Sequence, residues 1–346
     1  MTSATAHIET ERLGPYLSAN IPGFGRLLSA EKFAGGQSNP TFLINSTEGR
    51  FVLRRKPPGT LLKSAHAVDR EYQVISALAQ TDVPVPRTHH LCTDETVIGS
   101  MFYIMDYVDG RIFWDGSLPD LAREERGAIY DSMNAALAAL HRVDSAAVGL
   151  ADYGRPGSYF ERQIARWTGQ YRASETHPVP SMDALISWLE RETPADGGRV
   201  SLVHGDYRID NMIFAPSGPR ILAILDWELS TLGHPFADLA YQCMQWRLPS
   251  DGIFRGLGGL DRQAYGIPSE DEYIERYCRR TGVGQIDHWP FYLAFSFFRL
   301  AAILQGVYKR SLNGNASNPE RARRMGEMVP LLAGMAMDLT ISSNAP

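Results

Sequence analysis

The sequence predicts an α+β protein of two lobes, a small strand-rich lobe followed by a larger helical one. Short runs of aromatic and β-branched residues, typical of strands, occupy the first part of the chain: FVLRR at Phe51 and MFYIMDYV at Met101. Beyond them the apolar residues recur with helical spacing over longer stretches. The length of 346 residues also favours more than one lobe. We therefore expect one lobe over residues 1–107 and the second over residues 108–346.

Between the two strand-like runs, SAHAVDREYQVISALAQ predicts a single helix. Val68, Tyr72, Ile75 and Leu78 recur at spacings that place them on one helical face. The helix must end at DVPVPR, because proline cannot continue a helix. In the second lobe, four stretches predict helices: LAREERGAIYDSMNAALAALHRV, SMDALISWLERE, EDEYIERYCRR and the segment from Phe291. The short strand-like runs SLV, NMIF and RILAILDW gather around one polar loop.

Composition excludes some classes of function. The net charge of -5 gives no reason to expect nucleic acid, whose binding needs a basic face. Cys92, Cys243 and Cys278 are widely spaced and form no CxxC motif, which predicts free thiols and a cytoplasmic protein. The early carboxylates Glu9 and Glu11 do not fit a secretory leader.

The most apolar stretch, FYLAFSFFRLAAILQGVYK from Phe291, is nearly long enough to span a membrane. Arg299 lies at its centre, and a central arginine costs about 2.5–3.5 kcal/mol on membrane insertion. We therefore expect a buried helix of the helical lobe and no membrane partner.

The polar loop in LVHGDYRIDNMIF carries the main functional signal. Asp206 and Asn211 have the spacing D-x-x-x-x-N, which protein kinases use in their catalytic loop. Phosphoryl transfer needs a carboxylate to orient the attacking hydroxyl and oxygen ligands for Mg²⁺. Asp226, at the end of the apolar run in ILAILDWE, supplies a third oxygen ligand. The alternative interpretation is a hydrogen-bonded capping network without chemistry.

LVHGDYRIDNMIF followed by ILAILDWELSTLGHPFADLAY resembles the aminoglycoside phosphotransferase-like (APH) family. The resemblance runs from about Phe33 to Tyr308. FVLRRKPPG and SAHAVDREY resemble more closely the kinase-like domain of some large acyl-CoA dehydrogenases. The family implies a protein-kinase-like fold with a small antiparallel-sheet N-lobe and a larger helical C-lobe.

The resemblance also implies roles for individual residues. Asp206 would be the catalytic base or hydroxyl-orienting group, and Asn211 and Asp226 would bind magnesium. His204 would tie the loop to the core, and Asp238 would brace the loop from a following helix. The implied cofactors are ATP and Mg²⁺.

The nucleotide phosphates need a cover, and AGGQSNPTF is the candidate segment. Gly35 and Gly36 would let backbone N–H groups approach phosphate oxygens, with Ser38 and Asn39 as helpers. Two adjacent glycines without this context are usually a hairpin turn. The segment is not a Walker loop, because GxxxxGK[ST] is absent.

The strand cation expected from the family departs from the usual lysine. Arg54 matches the position, while Lys56 lies on the same strand face and precedes two prolines. Arginine brings a planar fork in place of a point charge. Glu71 is the expected ion-pair partner, although a solvated helix carboxylate is the alternative. The backbone from Asp106 to Val108 would face adenine as a hinge.

For the acceptor, the candidates are Tyr159, Arg162, Arg166 and Arg247. The arginines would favour an anionic acceptor, such as a carboxylate or a CoA phosphate; the alternative is a solvated basic face. The leading hypothesis is a small-molecule kinase that transfers the ATP γ-phosphate to an alcohol group of a hydroxyacyl-CoA or hydroxy acid. An aminoglycoside acceptor and a nucleotide-binding regulatory module without turnover stay open. A protein kinase is disfavoured, because no APE-type segment follows Asp226.

Overall fold

The computed structural model describes residues 8–33, 39–57, 67–155, 157–251, 253–314 and 318–342. The strands, in chain order, are β1 (Leu27–Lys32), β2 (Thr41–Ser46), β3 (Arg50–Arg55), β4 (Thr88–Cys92), β5 (Phe102–Asp106), β6 (Ser201–Val203), β7 (Met212–Phe214), β8 (Ile221–Ile224) and β9 (Thr231–Gly233). The helices are α1 (Thr10–Asn20), α2 (Val68–Leu78), α3 (Arg123–His141), α4 (Tyr159–Ser174), α5 (Pro180–Arg191), α6 (Phe236–Cys243), α7 (Arg262–Tyr265), α8 (Glu270–Thr281), α9 (Trp289–Leu312) and α10 (Pro319–Ser342).

The chain divides into two compact units. The sheet unit comprises Met1–Ile112, Ala146–Leu150 and Asn211–Ser230, and the helical unit comprises Phe113–Ser145, Ala151–Asp210 and Thr231–Pro346. The division predicted after Tyr107 thus falls after Ile112. The sheet unit also takes Asn211–Ser230, which the sequence analysis assigned to the second lobe. The physical reason is a backbone pairing, because Arg111 and Phe214 exchange two hydrogen bonds of 2.8 Å.

The sheet unit is built on a five-stranded antiparallel sheet in the order β1-β2-β3-β5-β4. Strand β2 shows why these residues form it: buried and half-buried side chains alternate along TFLINS, as a strand with one face on the core requires. Phe42 and Ile44 from its buried face join Leu53, Phe102 and other apolar residues in one core. The predicted small antiparallel sheet is confirmed.

Helix α2 follows its predicted apolar stripe with one exchange. Val68, Ile75 and Leu78 are buried as expected. Tyr72 is only half-buried, and its neighbour Glu71 is buried in its place. A buried carboxylate needs a partner. The helical spacing does not show such a partner, so it could not predict that Glu71 is buried.

The helical unit contains α3 to α10 and the two-stranded antiparallel pair of β6 and β9. Helix α9 is long and apolar enough to cross a membrane by length and composition, but 78% of its most apolar window is buried inside the protein. This is the core helix that the central Arg299 predicted. Cys92, Cys243 and Cys278 are free thiols, as expected.

Candidate active site

The loop after β6 fixes the backbone of Asp206 within the helical unit. The fully buried Asp238 of α6 accepts the N–H of His204 at 2.6 Å and the N–H of Gly205 at 2.8 Å. Gly205 has a φ of +85°, a conformation that favours glycine. The N–H of Asp206 then donates to His204 Nδ1 at 3.1 Å. The bracing role that the sequence analysis gave Asp238, and the structural role of His204, both have direct contacts behind them.

The Asp206 carboxylate is held in its ionised form. Its side chain is 22% exposed and lies 3.6 Å from Arg208 Nε. Burial alone would raise its pKa, but the charge of Arg208, a hydrogen bond from Tyr241, and the charges of His204 and Arg299 together hold the pKa below its ordinary value. An ionised carboxylate can accept a hydrogen bond from an attacking hydroxyl at neutral pH.

Within the sheet unit, Arg54 is the centre of a carboxylate cluster. It is 13% exposed, with Nε 2.8 Å from Glu71 Oε2 and Nη2 2.5 Å from Asp226 Oδ1. Glu228 Oε2 lies 3.8 Å away. The contact with Glu71 is an ion pair whose angle is not that of a hydrogen bond. The planar guanidinium meets the two carboxylates through different nitrogens, Nε and Nη2, at fixed directions.

Glu71 is the most buried member of this cluster, at 1% exposure. Its carboxylate accepts hydrogen bonds from Asn39 Nδ2 at 2.8 Å and from the Tyr103 hydroxyl at 3.1 Å. Burial raises the pKa of Glu71 to about 7, although the neighbouring Arg54 acts to lower it. Asn39 also lies 3.5 Å from Glu228. Its amide nitrogen therefore faces carboxylates, and the phosphate contact of Asn39 stays a prediction.

Asn211 and Asp226 lie at the same end of the hairpin formed by β7 and β8. Asn211 precedes β7, and its carbonyl accepts the N–H of Leu225 at 2.8 Å. Asp226 follows β8, is 33% exposed and has left-handed backbone angles of φ 66° and ψ 60°. Carboxylate and amide oxygens are ligands that Mg²⁺ accepts.

The charge of the cluster fits a bound cation. Three carboxylates, those of Glu71, Asp226 and Glu228, surround the single guanidinium of Arg54. Among the described residues, no group of three or more His, Cys, Asp or Glu side chains forms a metal site by itself. Mg²⁺ commonly takes one or two protein carboxylates together with water and substrate phosphates, so Asp226 with Asn211 suffices.

The sequence profile of the phosphotransferase enzyme family, APH, matches residues 29–293. The chain belongs to this family. The APH protein is also 50% identical over 308 residues to mouse (Mus musculus) acyl-CoA dehydrogenase family member 10. That match covers 89% of this chain but only 29% of the mouse protein. The chain therefore spans less than a third of this relative.

Solved structures agree with the family assignment. A structure from Ralstonia eutropha JMP134, provisionally assigned as an aminoglycoside phosphotransferase, is 49% identical and superposes with a TM-score of 0.89. It covers 97% of this chain and 99% of its own. Spectinomycin phosphotransferase, solved with ADP and spectinomycin, is 14% identical with a TM-score of 0.60 and covers 95% of this chain and 99% of its own. The predicted protein-kinase-like fold is confirmed.

Of the other residues predicted for the nucleotide side, the structure of the APH protein describes some and not others. Gly35, Gly36 and Ser38 lie outside the described residues. The N–H of Asp106 donates to the Arg87 carbonyl at 2.8 Å, and its carboxylate lies 2.6 Å from His89 Nε2. Within the described part of the chain, the N–H of Val108 has no hydrogen-bond partner. Of the two predicted hinge residues, Val108 is the one whose N–H is not used within the described part of the chain.

The residues predicted to bind the acceptor differ in whether they already have partners within the protein. Tyr159 is buried at the start of α4, and Arg166 lies over the Trp167 ring at 5.3 Å from its centroid. Arg162 donates to the carbonyls of Gly157 and Arg155. Arg247 pairs with Glu270 at 3.0 Å. Arg162 and Arg247 therefore have structural partners, which makes them poorer candidates for binding an acceptor.

Sequence reasoning gave no role to several side chains near Asp206 and Arg54, among them Tyr103, Tyr241 and Arg299. Tyr103 stands in the continuous apolar run of β5, which is typical of core. Tyr241 lies among buried residues of α6, a setting typical of core. Arg299 was weighed only as an obstacle to membrane insertion. A lone cation in the middle of an apolar helix is the signal that could have found it, because a buried charge needs a reason.

Proposed function

We propose that this protein is an ATP-dependent small-molecule kinase that transfers a phosphoryl group to an alcohol. The observation that carries the proposal is the Asp206 carboxylate, which is ionised, partly exposed and fixed through its backbone by Asp238. It stands in the D-x-x-x-x-N order with Asn211 that phosphoryl transfer uses. Family membership supports the reaction class.

The sheet unit supplies the nucleotide side of the reaction. Arg54, held by Glu71, pairs with nucleotide phosphate, and the N–H of Val108 is the donor for adenine. Asp226 and Asn211 would hold Mg²⁺, which when bound neutralises charge on the phosphate oxygens. A spectinomycin phosphotransferase of the same fold was solved with ADP, which supports a nucleotide as the donor.

Asp206 performs the acceptor side of the reaction. Its carboxylate accepts the hydrogen bond of the attacking hydroxyl and orients the oxygen lone pair toward the γ-phosphorus. As the new O–P bond forms, the bond from the γ-phosphorus to the β–γ bridging oxygen breaks, and ADP leaves with that electron pair. The hydroxyl proton passes to Asp206, whose low pKa returns it readily to water.

The acceptor we propose is a hydroxyacyl-CoA or a hydroxy acid. The mouse relative is named an acyl-CoA dehydrogenase family member, which points to acyl-CoA chemistry. Two guanidinium groups, of Arg166 and Arg299, lie within 5.6 Å of the Trp167 ring centroid. The charge of Arg299 also acts on Asp206, and this positive environment favours an anionic acceptor over a polycationic aminoglycoside.

The test is ATP consumption with Mg²⁺ in the presence of a panel of hydroxylated acceptors. The panel holds hydroxyacyl-CoAs, free hydroxy acids, aminoglycosides, choline and simple sugars. We expect turnover that depends on a hydroxyacyl-CoA or hydroxy acid and that falls at least ~100-fold in Asp206→Asn. The exposed Asp152→Asn substitution is the matched control, and it should keep wild-type turnover.

Two results would contradict the proposal. Near-full activity in Asp206→Asn would remove Asp206 from the reaction. Turnover with aminoglycosides alone would support a kinase but would show that the proposed acceptor class is wrong. A regulatory module would instead bind Mg-ATP and consume none with any acceptor.

A further inference from the structure

Arg299 is a buried cation inside the apolar helix α9. It is 4% exposed, and its neighbours along the helix include Phe297, Phe298 and Leu300, all buried. No carboxylate among the described residues lies within ion-pair distance of it, and its Nε has no hydrogen-bond partner there. Burying a cation without an opposite charge is costly. A leucine or methionine would fill the same space at lower cost, so the charge calls for a function.

The guanidinium of Arg299 reaches the loop that carries Asp206. Its Nη2 donates to the carbonyl oxygen of Gly205. That carbonyl belongs to the peptide unit whose N–H is the N–H of Asp206, and this N–H donates to His204 Nδ1 at 3.1 Å. The peptide unit entering Asp206 is therefore held at both ends, and the preceding N–H is held by Asp238 at 2.8 Å.

A second contact connects Arg299 to the Asp206 side chain. The guanidinium carbon lies 5.2 Å from the ring centroid of Tyr241 and 5.6 Å from that of Trp167, distances at which cation–π attraction operates. The hydroxyl of Tyr241 is among the groups that hold the pKa of Asp206 below its ordinary value. Arg299 thus packs on the ring whose hydroxyl stabilises the ionised carboxylate.

We propose that Arg299 is a positioning residue for Asp206, acting through the Gly205 carbonyl, through the Tyr241 ring and through its charge. The inference rests on the proposed function of Asp206 as the hydroxyl-orienting group. Arg299 itself need not touch the acceptor. Removing its charge would leave the carboxylate facing Arg208, His204 and Tyr241, with a weaker positive field and a looser peptide unit.

The experiment compares Arg299→Met and Arg299→Gln, which remove the charge, with Arg299→Lys, which keeps it. Gln305→Met is the matched control on the same helix. Gln305 is buried and donates to Ser174 O at 2.8 Å and Thr176 Oγ1 at 3.1 Å, away from the loop that carries Asp206. All variants are first checked for folding by circular dichroism and thermal unfolding.

The first readout is the titration of the Asp206 carboxyl carbon by NMR in the full chain, assigned by its loss in Asp206→Asn. The titration midpoint should rise in Arg299→Met and Arg299→Gln. It should stay at the wild-type value in Gln305→Met and close to it in Arg299→Lys. This readout needs no turnover, so it tests Arg299 even if no acceptor is phosphorylated and the proposed function fails.

The second readout is kinetic. Arg299→Met and Arg299→Gln should lower kcat ~10- to 100-fold with the KM for ATP unchanged within ~2-fold, and the acid limb of the kcat profile should move to higher pH. Arg299→Lys should recover part of kcat. A purely structural role predicts that Arg299→Gln and Gln305→Met behave alike in both readouts, and that result would overturn the proposal. If Arg299→Met does not fold, Arg299→Gln decides.

Discussion

Arg54 shows how a single side chain sets the chemistry of the nucleotide side. A lysine at this position would offer a point charge without the fixed directions of a planar fork. The guanidinium meets Glu71 through Nε and Asp226 through Nη2, so the residue proposed to bind phosphate also organises two carboxylates. The contribution of Arg54 to the free energy of unfolding can be measured separately from its contribution to the reaction.

At pH 8, where wild-type Glu71 is ionised, Arg54→Met should lower the free energy of unfolding by about 1–3 kcal/mol, because the buried Glu71 must then lose its cation or take up a proton. Urea unfolding measures this. Arg50→Met on the same strand is the control, since Arg50 and Asp109 form an exposed pair at 2.9 Å, which contributes at most about 1 kcal/mol. Equal losses of unfolding free energy in the two variants would contradict a stabilising role of the Arg54 cluster. Adding Glu71→Gln to Arg54→Met should recover part of the lost free energy.

Glu71 should make stability depend on pH in a direction opposite to that of most carboxylates. Burial raises its pKa from 4.5 to about 7, so the folded state keeps a proton that the unfolded state releases between those values. Its contribution is complete below pH 4.5 and is lost as the pH rises through 7. Relative to Glu71→Gln, wild type should lose on the order of 1–3 kcal/mol between about pH 5 and pH 8. Curves of unfolding free energy against pH that run parallel for wild type and Glu71→Gln would refute this prediction.

At the scale of elements, α6 controls the loop that carries Asp206. Asp238→Asn keeps the shape of the side chain but replaces one acceptor oxygen with an N–H₂ group that faces a backbone N–H. We expect kcat to fall at least ~100-fold and the free energy of unfolding to fall by about 2–4 kcal/mol. Steady-state kinetics and urea unfolding measure the two effects. A kcat within about twofold of wild type would show that the loop does not need this brace.

Regular elements were predictable because their side-chain periods are local. The β3 and β5 runs, the α2 stripe and the α9 core helix all follow from spacing within the segment. The order D-x-x-x-x-N and the later Asp226 gave the reaction class for the same reason. Contacts between distant elements were not predictable, because the spacing of residues within a segment does not show them. Examples are the contacts of Arg299 with Gly205 and of Asn39 with Glu71.

At the scale of the whole molecule, the sequence could not show that the sheet unit is discontinuous. Asn211–Ser230 joins it through pairing of Phe214 with Arg111, far apart in the chain. Asp206 and Asn211, close in sequence, therefore belong to different units. A division drawn at a single point in the chain cannot describe this arrangement.

Mg-ATP should stabilise the folded protein, because a ligand that binds only the folded state raises the free energy of unfolding. At 100-fold above its Kd the gain is about 2.7 kcal/mol. Thermal unfolding with Mg-ATP, with ATP and a chelator, and with Mg²⁺ alone measures it. The gain should require Mg²⁺ and ATP together and should shrink in Asp226→Asn. Full stabilisation of Asp226→Asn would remove this residue from the proposed metal site.

The left-handed backbone of Asp226 restricts which substitutions evolution can accept there. Asparagine and glycine adopt this conformation readily, aspartate tolerates it, and most other side chains are strained by it. A descendant released from selection for catalysis should therefore drift at position 226 toward asparagine or glycine before alanine or valine. In a survey of related genomes, Asn or Gly here would mark lineages that kept the fold and gave up the reaction.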